Sequence, residues 1–136
     1  IGLFSNTIYP ATGTSFGIER IIDAMDELEM FPPEIRATTA EVLVTVFSPE
    51  MVSTSLEVAA LLRRSGVNTS LYFEAGDRLG DQIGYASAKG IPFVVIVGPD
   101  EAAAKQVTVR RLGATAQESE QRTVQRDQLA WTLQNW

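Results

Sequence analysis

The stretch VLVTVF, residues 42–47, decides the fold, because almost all of its side chains are β-branched or apolar. A strand buried on both faces of a parallel sheet has this composition, whereas a strand with one solvated face alternates apolar and polar residues. The next three residues, SPE at 48–50, are typical of a helix start, with a hydroxyl for capping, a first-turn proline and an acid. The chain therefore passes directly from a buried strand into a helix.

The same order of strand and helix continues along the chain. The pattern predicts a helix over 49–65 that ends at Gly66, a strand over 69–73, a helix over 78–89 capped by Gly90, and a buried strand over 93–97. Strands and helices that alternate at this spacing pair in parallel through right-handed crossovers. Further strands are predicted over 106–112 and 120–124, around a polar turn over 113–119. A last helix is predicted to carry Leu129, Leu133 and Trp136 on one side.

The helical period also predicts which side chains face the sheet. On the helix over 49–65, the inward stripe consists of Val52, Leu56, Ala59 and Leu62. On the helix over 78–89, the inward residues are Leu79, Ile83 and Ala86, and the outward residues are Arg78, Asp81, Gln82, Tyr85 and Lys89.

The amino-terminal part is predicted to be a separate region. The run GTSFGIER at 13–20 opens a helix over 17–29, which the prolines at 32 and 33 end, and residues 1–12 form a loop or extended segment. A linker over 30–41 gives domains at 1–37 and 38–136. Arg20 lies in the first helical turn, where the dipole favours anions, so we expect an anionic ligand near it.

Composition excludes several classes of function. The 136 residues carry a net charge of −6 and contain no cysteine and no histidine. A diffuse nucleic-acid-coating surface, disulfides, thiolate zinc sites and histidine-based catalysis are therefore excluded, and we expect any nucleic-acid contact to be local. The longest apolar run, residues 91–97, is too short to span a bilayer. We expect a soluble, cytoplasmic protein with no metal site, present here as a piece of a longer chain.

Several motifs together indicate a family. GTSFGIERII at 13–22 resembles motif 3 of the class II aminoacyl-tRNA synthetases, and its residues are most similar to those of the histidyl enzymes. The later segments LLRRSG (61–66), QIGYA (82–86) and GIPFVVIVGPDE (90–101) resemble their carboxyl-terminal anticodon-binding domain, in the same order. The resemblance covers essentially the whole chain.

The resemblance implies an α/β fold, a mixed five-stranded sheet with three flanking helices, preceded by a strand-helix remnant of the catalytic domain. It implies a homodimeric parent enzyme that activates histidine with ATP and Mg²⁺ and charges tRNA(His). Arg20 would be the catalytic arginine that binds the ATP phosphates, and Gly17 would leave room for the nucleotide. The remaining motifs of the catalytic domain would lie upstream, so we expect this piece alone to be inactive and to need no cofactor.

The resemblance also directs attention to residues that could contact tRNA. The candidates are Arg78, Gln82, Tyr85, Arg110 and Arg111. A tyrosine on a polar helix face can stack on an unpaired base, and adjacent strand residues point to opposite faces, so only one of the paired arginines can face a given ligand. A capped helix start at Arg78 and a solvated edge strand at the paired arginines are the structural alternatives.

Two other functions stay open. The family usually carries lysines where this chain has Gly80 and Asp81, so a synthetase-like regulatory or interaction module that has lost tRNA binding is an alternative. A free-standing flavodoxin-like binding domain is a weaker alternative, because it does not account for a helix start with Glu19 and Arg20 before the linker.

Overall fold

The computed structural model describes residues 10–32, 35, 38–113 and 118–136. Contacts divide the chain into two compact units, Ile1–Ile35 and Arg36–Trp136. The boundary predicted from the sequence lies between residues 37 and 38, in the same linker. Most of the predicted amino-terminal loop, Pro33 and part of the predicted turn before the last strand lie outside the described residues.

The first unit contains helix α1, Ile18–Glu27, which is shorter than predicted. The prolines do not end it. Instead, Glu29 adopts a left-handed backbone with φ of 49°, and the Met30 N–H donates to the Met25 carbonyl at 2.8 Å, which closes the last turn as a Schellman motif. Ile18, Ile21 and Ile22 are exposed, and no residue of α1 is buried.

The second unit is a mixed five-stranded sheet, as predicted. Its strands are β1 Val42–Val44, β2 Thr69–Leu71, β3 Phe93–Ile96, β4 Gln106–Arg111 and β5 Glu120–Gln125. They lie in the order β2-β1-β3-β4-β5, with β1 parallel to both neighbours and β4 antiparallel to both of its own. All three residues of β1 are fully buried, as predicted from the run at 42–47, but the strand ends at Val44 and Phe47 is 49% exposed.

The helices of this unit follow the predicted order. They are α2 Val52–Arg64, α3 Leu79–Ala88, the short α4 Pro99–Ala103 and α5 Leu129–Gln134, with 3₁₀ turns at Pro49–Met51 and Arg126–Gln128. Ser48 occupies the predicted cap position but makes no capping bond; its hydroxyl bonds the Glu50 carboxylate and so lowers the pKa of Glu50. Across the described residues, none of the helices has the length and apolar character needed to cross a membrane.

The predicted glycine caps are confirmed. Gly66 and Gly90 have φ of 80° and 69°, a backbone conformation that glycine adopts without strain. The Val67 N–H donates to the Leu62 carbonyl at 3.0 Å, and the Ile91 N–H donates to the Ala86 carbonyl at 2.9 Å. Both α2 and α3 therefore end in Schellman motifs.

Two apolar clusters cover the two faces of the sheet. The first, which we call the α2–α5 face, packs residues of α2 and α5 on the sheet: Val42, Val44, Val95, Val97, Val107 and Val109 with Val58, Ala59, Leu62 and Leu129. The second, which we call the α3 face, lies on the other side of the sheet. There, Ala86 of α3 and Ile91, which follows the helix, pack on the strand residues Leu43, Val94 and Ile96.

The predicted inward stripe of α2 is partly wrong. Leu56 is 47% exposed, and Ser55 is fully buried in its place. The Ser55 hydroxyl donates to the Thr45 carbonyl at 2.8 Å, just beyond the end of β1. The inward face of α2 is therefore displaced from the predicted stripe toward Ser55 and Val58, while Ala59 and Leu62 lie on it as predicted. The hydrogen bond satisfies the buried hydroxyl of Ser55.

Candidate nucleic-acid interface

The side chain of Gln82 joins α3 to the chain segment that follows β1. Its Oε1 accepts from the Val46 N–H at 2.9 Å, and its Nε2 donates to the carbonyls of Val46 at 2.9 Å and Asp77 at 3.1 Å. Gln82 has no exposed surface. The prediction that it faces outward is wrong, because the buried backbone of Val46 needs these partners. A fully buried amide cannot contact RNA.

Tyr85 lies on the outward side of α3, as predicted, and is 41% exposed. Its ring packs edge-on against Tyr72, with the centroids 5.5 Å apart, and Lys89 Nζ lies 5.9 Å from its centroid. The Tyr72 hydroxyl donates to Asp77 Oδ2 at 2.6 Å. One side of the Tyr85 ring is thus fixed by packing, while its exposed part is free to meet a ligand.

The hydrogen bond to Asp77 raises the pKa of Tyr72 from 10.0 to about 12, since ionisation would break the bond and place two negative charges together. The stabilisation is present below pH 10 and is lost as the pH rises through about 12. We expect an ultraviolet pH titration to show one tyrosine ionising late, and Tyr72→Phe to remove that step. An Asp77→Asn variant that kept the late step would contradict this assignment.

Arg78 is exposed and occupies the N-cap position of α3, without a side-chain capping bond. The carboxylates of Glu74, Asp77 and Asp81 all contribute to the raised pKa of Tyr72, so this end of α3 is locally acidic. Within the described ranges, Arg78 forms no ion pair. Its role in RNA binding stays a prediction.

Arg110 and Arg111 lie on opposite faces of β4, as predicted. Arg110 pairs with Val94 and therefore lies on the α3 face, whereas Arg111 pairs with Phe93 on the α2–α5 face. The alternative of a solvated edge strand is wrong, because β4 is bonded along its length to both β3 and β5. Arg110 is half-buried and Arg111 is exposed.

Around Arg110, the α3 face of β4 and β5 is polar. We call this surface the polar strip; it consists of Glu101, Thr108, Arg110, Gln121 and Thr123, which the register of the two strands and the bonds of Glu101 bring together. Gln121 and Thr123 are exposed. The buried residues of the α3 face come from β1, β3 and the region of α3, so the polar strip continues beyond that apolar cluster.

Glu101 is held firmly at one end of the polar strip. Its Oε2 accepts from the Gly98 N–H at 3.1 Å, and its Oε1 accepts from the Thr108 hydroxyl at 3.2 Å. The hydroxyls of Thr108 and Thr123 are 3.1 Å apart. The sequence indicates a turn into a helix at residues 98–101, but it did not identify Glu101 as a candidate contact. Fixed donors and acceptors beside a guanidinium suit the edges of unstacked bases and their phosphates.

The first unit carries the predicted nucleotide-binding residues. Arg20 lies in the first turn of α1, and its Cδ is 3.8 Å from where a Cβ on Gly17 would be. No ion pair joins Arg20 to Asp23 in the part of the chain that the structure describes. The same residues contain no group of three or more histidine, cysteine or acidic side chains that could hold a metal ion. The nucleotide-binding role stays a prediction.

Comparison with known proteins identifies the protein family. Residues 41–136 match the family described as "Anticodon binding domain", so the chain belongs to that family. Histidine–tRNA ligases are among its relatives. The chain is 34% identical over 123 residues to the cytoplasmic enzyme of Oryza sativa subsp. japonica, covering 90% of this chain and 15% of the rice protein. It is 43% identical over 114 residues to that of Gloeobacter violaceus, covering 80% and 24%.

Solved structures agree with this relationship. The crystal structure of histidyl-tRNA synthetase from Nostoc sp. PCC 7120 matches with a TM-score of 0.71 and 33% identity, over 88% of this chain and 27% of the Nostoc chain. The RNA binding domain of threonyl-tRNA synthetase from Cryptosporidium parvum matches with a TM-score of 0.63 and 23% identity, over 71% and 23%, and shares the fold. The resemblance to the histidyl enzymes is confirmed, and the chain spans between 15% and 27% of these histidyl relatives.

Proposed function

We propose that residues 38–136 recognise the anticodon region of tRNA(His) within a histidine–tRNA ligase. The observation that carries this proposal is the polar strip, which lies in a domain of the anticodon-binding family and contains Arg110. The chain's net charge of −6 does not support a broad basic surface, so recognition must depend on a few local contacts.

The chemistry of the polar strip favours single-stranded RNA. An A-form helix hides its major-groove base edges in a deep, narrow groove, whereas loop bases can be splayed out and bonded individually. The Glu101 carboxylate is already oriented by two hydrogen bonds, so little of its freedom is lost when it accepts a further bond from a base. Arg110 supplies the positive charge that a phosphate or a base edge requires.

The other candidate contacts differ in position. Tyr85 and Arg78 lie at α3, where stacking by Tyr85 on a loop base is the simplest role. Arg111 lies on the opposite face from Arg110, so we assign the anticodon contact to Arg110. Gln82 is not part of the proposed interface because it is buried.

For the whole enzyme, we propose a cytoplasmic homodimer that activates histidine with ATP and Mg²⁺ and transfers it to tRNA(His). Arg20 would bind the ATP phosphates, and Gly17 would leave space for the nucleotide. The exposed position of Arg20 on α1 leaves its guanidinium available for this contact. We expect no aminoacylation by the 136-residue chain alone.

Filter binding with tRNA(His) tests the anticodon proposal. We expect substitution of the anticodon bases to weaken binding by about tenfold or more, since a stacked base contributes about 1–3 kcal/mol. Substitutions in the acceptor stem provide the control and should leave the affinity unchanged. Equal affinity for the original and substituted anticodons at moderate salt would contradict the proposal.

A second candidate is an interaction module that has lost tRNA binding. It is favoured by the acidic surroundings of α3, where Asp81 and Gly80 occupy positions at which the family usually has lysines. This candidate predicts that the same titration detects no anticodon dependence, so one experiment separates the two functions.

A further inference from the structure

A second pair of arginines lies at a cavity away from the polar strip. The cavity has a volume of about 320 Å³ and is lined by Glu57, Val58, Leu61, Arg64 and Arg126. Val58 belongs to the α2–α5 face, which is opposite the face that carries Arg110. The cavity is therefore separate from the proposed anticodon contacts.

Arg126 has an unsatisfied donor at this cavity. Its Nε is buried and has no hydrogen-bond acceptor among the described residues. The side chain is 22% exposed, and its Nη1 lies 3.9 Å from Glu57 Oε2, which is long for an ion pair. A charged donor without an acceptor is unfavourable, so an oxygen-bearing ligand that reaches the partly exposed guanidinium of Arg126 would stabilise the site.

Known structural effects explain only part of this arrangement. Arg64 lies in the last turn of α2, where a positive charge interacts favourably with the helix dipole. That effect accounts for Arg64 but not for the buried Nε of Arg126. The side chain of Glu57 is 70% exposed, and its negative charge balances one of the two guanidinium charges. The residues that line the cavity therefore carry a net positive charge.

We propose that this cavity binds a phosphate group between Arg64 and Arg126. Each of the two guanidiniums carries several N–H donors. A carboxylate has two oxygens to accept them, whereas a phosphate offers additional oxygens and can bond both guanidiniums. The ligand is a phosphodiester of a bound RNA or a free phosphate. The proposal does not depend on anticodon recognition by the polar strip.

Titration of inorganic phosphate into the 136-residue chain tests the site. The Nε–H nuclear magnetic resonance signals of Arg64 and Arg126 are followed while chloride keeps the ionic strength constant. We expect both signals to shift and saturate together. Arg64→Gln, at an exposed helix position that should tolerate the change, should weaken binding by about tenfold, because one charge-assisted hydrogen-bonding group is lost. Arg122→Gln removes an exposed arginine of β5 that does not line the cavity and should have no effect.

A shift that grows linearly without saturation, or equal phosphate affinity in the Arg64→Gln variant, would overturn the proposal. The source of the phosphate is distinguished by tRNA(His) binding. If Arg64→Gln weakens tRNA binding by the same factor and phosphate competes with tRNA, the ligand is an RNA phosphodiester. If tRNA affinity is unchanged while phosphate binding falls, the ligand is a free phosphate. Neither result depends on whether anticodon substitutions change the affinity for tRNA(His).

Discussion

We expect Gln82→Leu to lower the free energy of unfolding by about 3 kcal/mol or more. Gln82 is fully buried, and its amide satisfies both the N–H and the carbonyl of Val46. Leucine fills a similar volume but offers no partner, and each buried group left unpaired costs about 1–3 kcal/mol. Urea unfolding of the variant measures the change.

Ser87→Ala on the same helix is the matched control, because Ser87 is exposed and makes no hydrogen bond with its side chain in the described residues. Its effect should stay within about 0.5 kcal/mol. If Gln82→Leu were as stable as this control, Gln82 would not join α3 to the segment after β1. In that case the outward orientation predicted from the sequence would be restored.

Leu62→Ala should destabilise the chain by about 3–5 kcal/mol, because removing a fully buried leucine side chain leaves a cavity in the core. Leu62 has no exposed surface and belongs to the α2–α5 face. Leu56→Ala, on the same helix, should cost less than about 1 kcal/mol because Leu56 is 47% exposed. The two variants are compared by urea unfolding under identical conditions.

The pair of leucine variants tests the orientation of α2 directly. The sequence prediction places both leucines on the inward stripe and therefore predicts large losses for both. A similar loss of stability in the two variants would support that stripe and contradict the inward face of α2 that the structure shows. Widely different losses would support the structure.

The succession of strands and helices along the chain was predictable because a strand buried on both faces has a recognisable composition. Residues 42–47, apart from Thr45, and residues 93–97 are apolar without alternation, which is typical of strands covered on both faces. The helix ends after α2 and α3 were predictable for a similar reason, since Gly66 and Gly90 supply the left-handed backbone of a Schellman motif.

The helix faces were less predictable because two buried polar residues complete the end of β1. Strand pairing stops at Val44, although the apolar run continues to residue 47. The Thr45 carbonyl and the backbone of Val46 are bonded instead by the side chains of Ser55 and Gln82. Residue type alone indicates solvent for both side chains, so the prediction places Gln82 outward and leaves Ser55 off the inward stripe. The helical period at Leu79, Gln82, Ile83 and Ala86 carries the correct signal.

The polar strip could not be found from the sequence. It depends on the register of β4 with β5, which pairs Arg110 with Gln121 and Thr108 with Thr123. It also depends on the orientation of Glu101, which a backbone N–H and a hydroxyl from another element together determine. The sequence indicates that Arg110 and Arg111 face opposite ways, but not which face is polar and accessible.

The most direct test of the central claim compares Arg110→Gln and Arg111→Gln in binding a tRNA(His) anticodon stem-loop. The two arginines are adjacent on β4 and lie on opposite faces. We predict that Arg110→Gln weakens binding by about tenfold. If Arg110 contacts a phosphate, the slope of the logarithm of the binding constant against the logarithm of the salt concentration falls in magnitude by about one. Arg111→Gln should leave the affinity unchanged. Unchanged affinity in Arg110→Gln, or an equal loss in both variants, would contradict recognition through the polar strip.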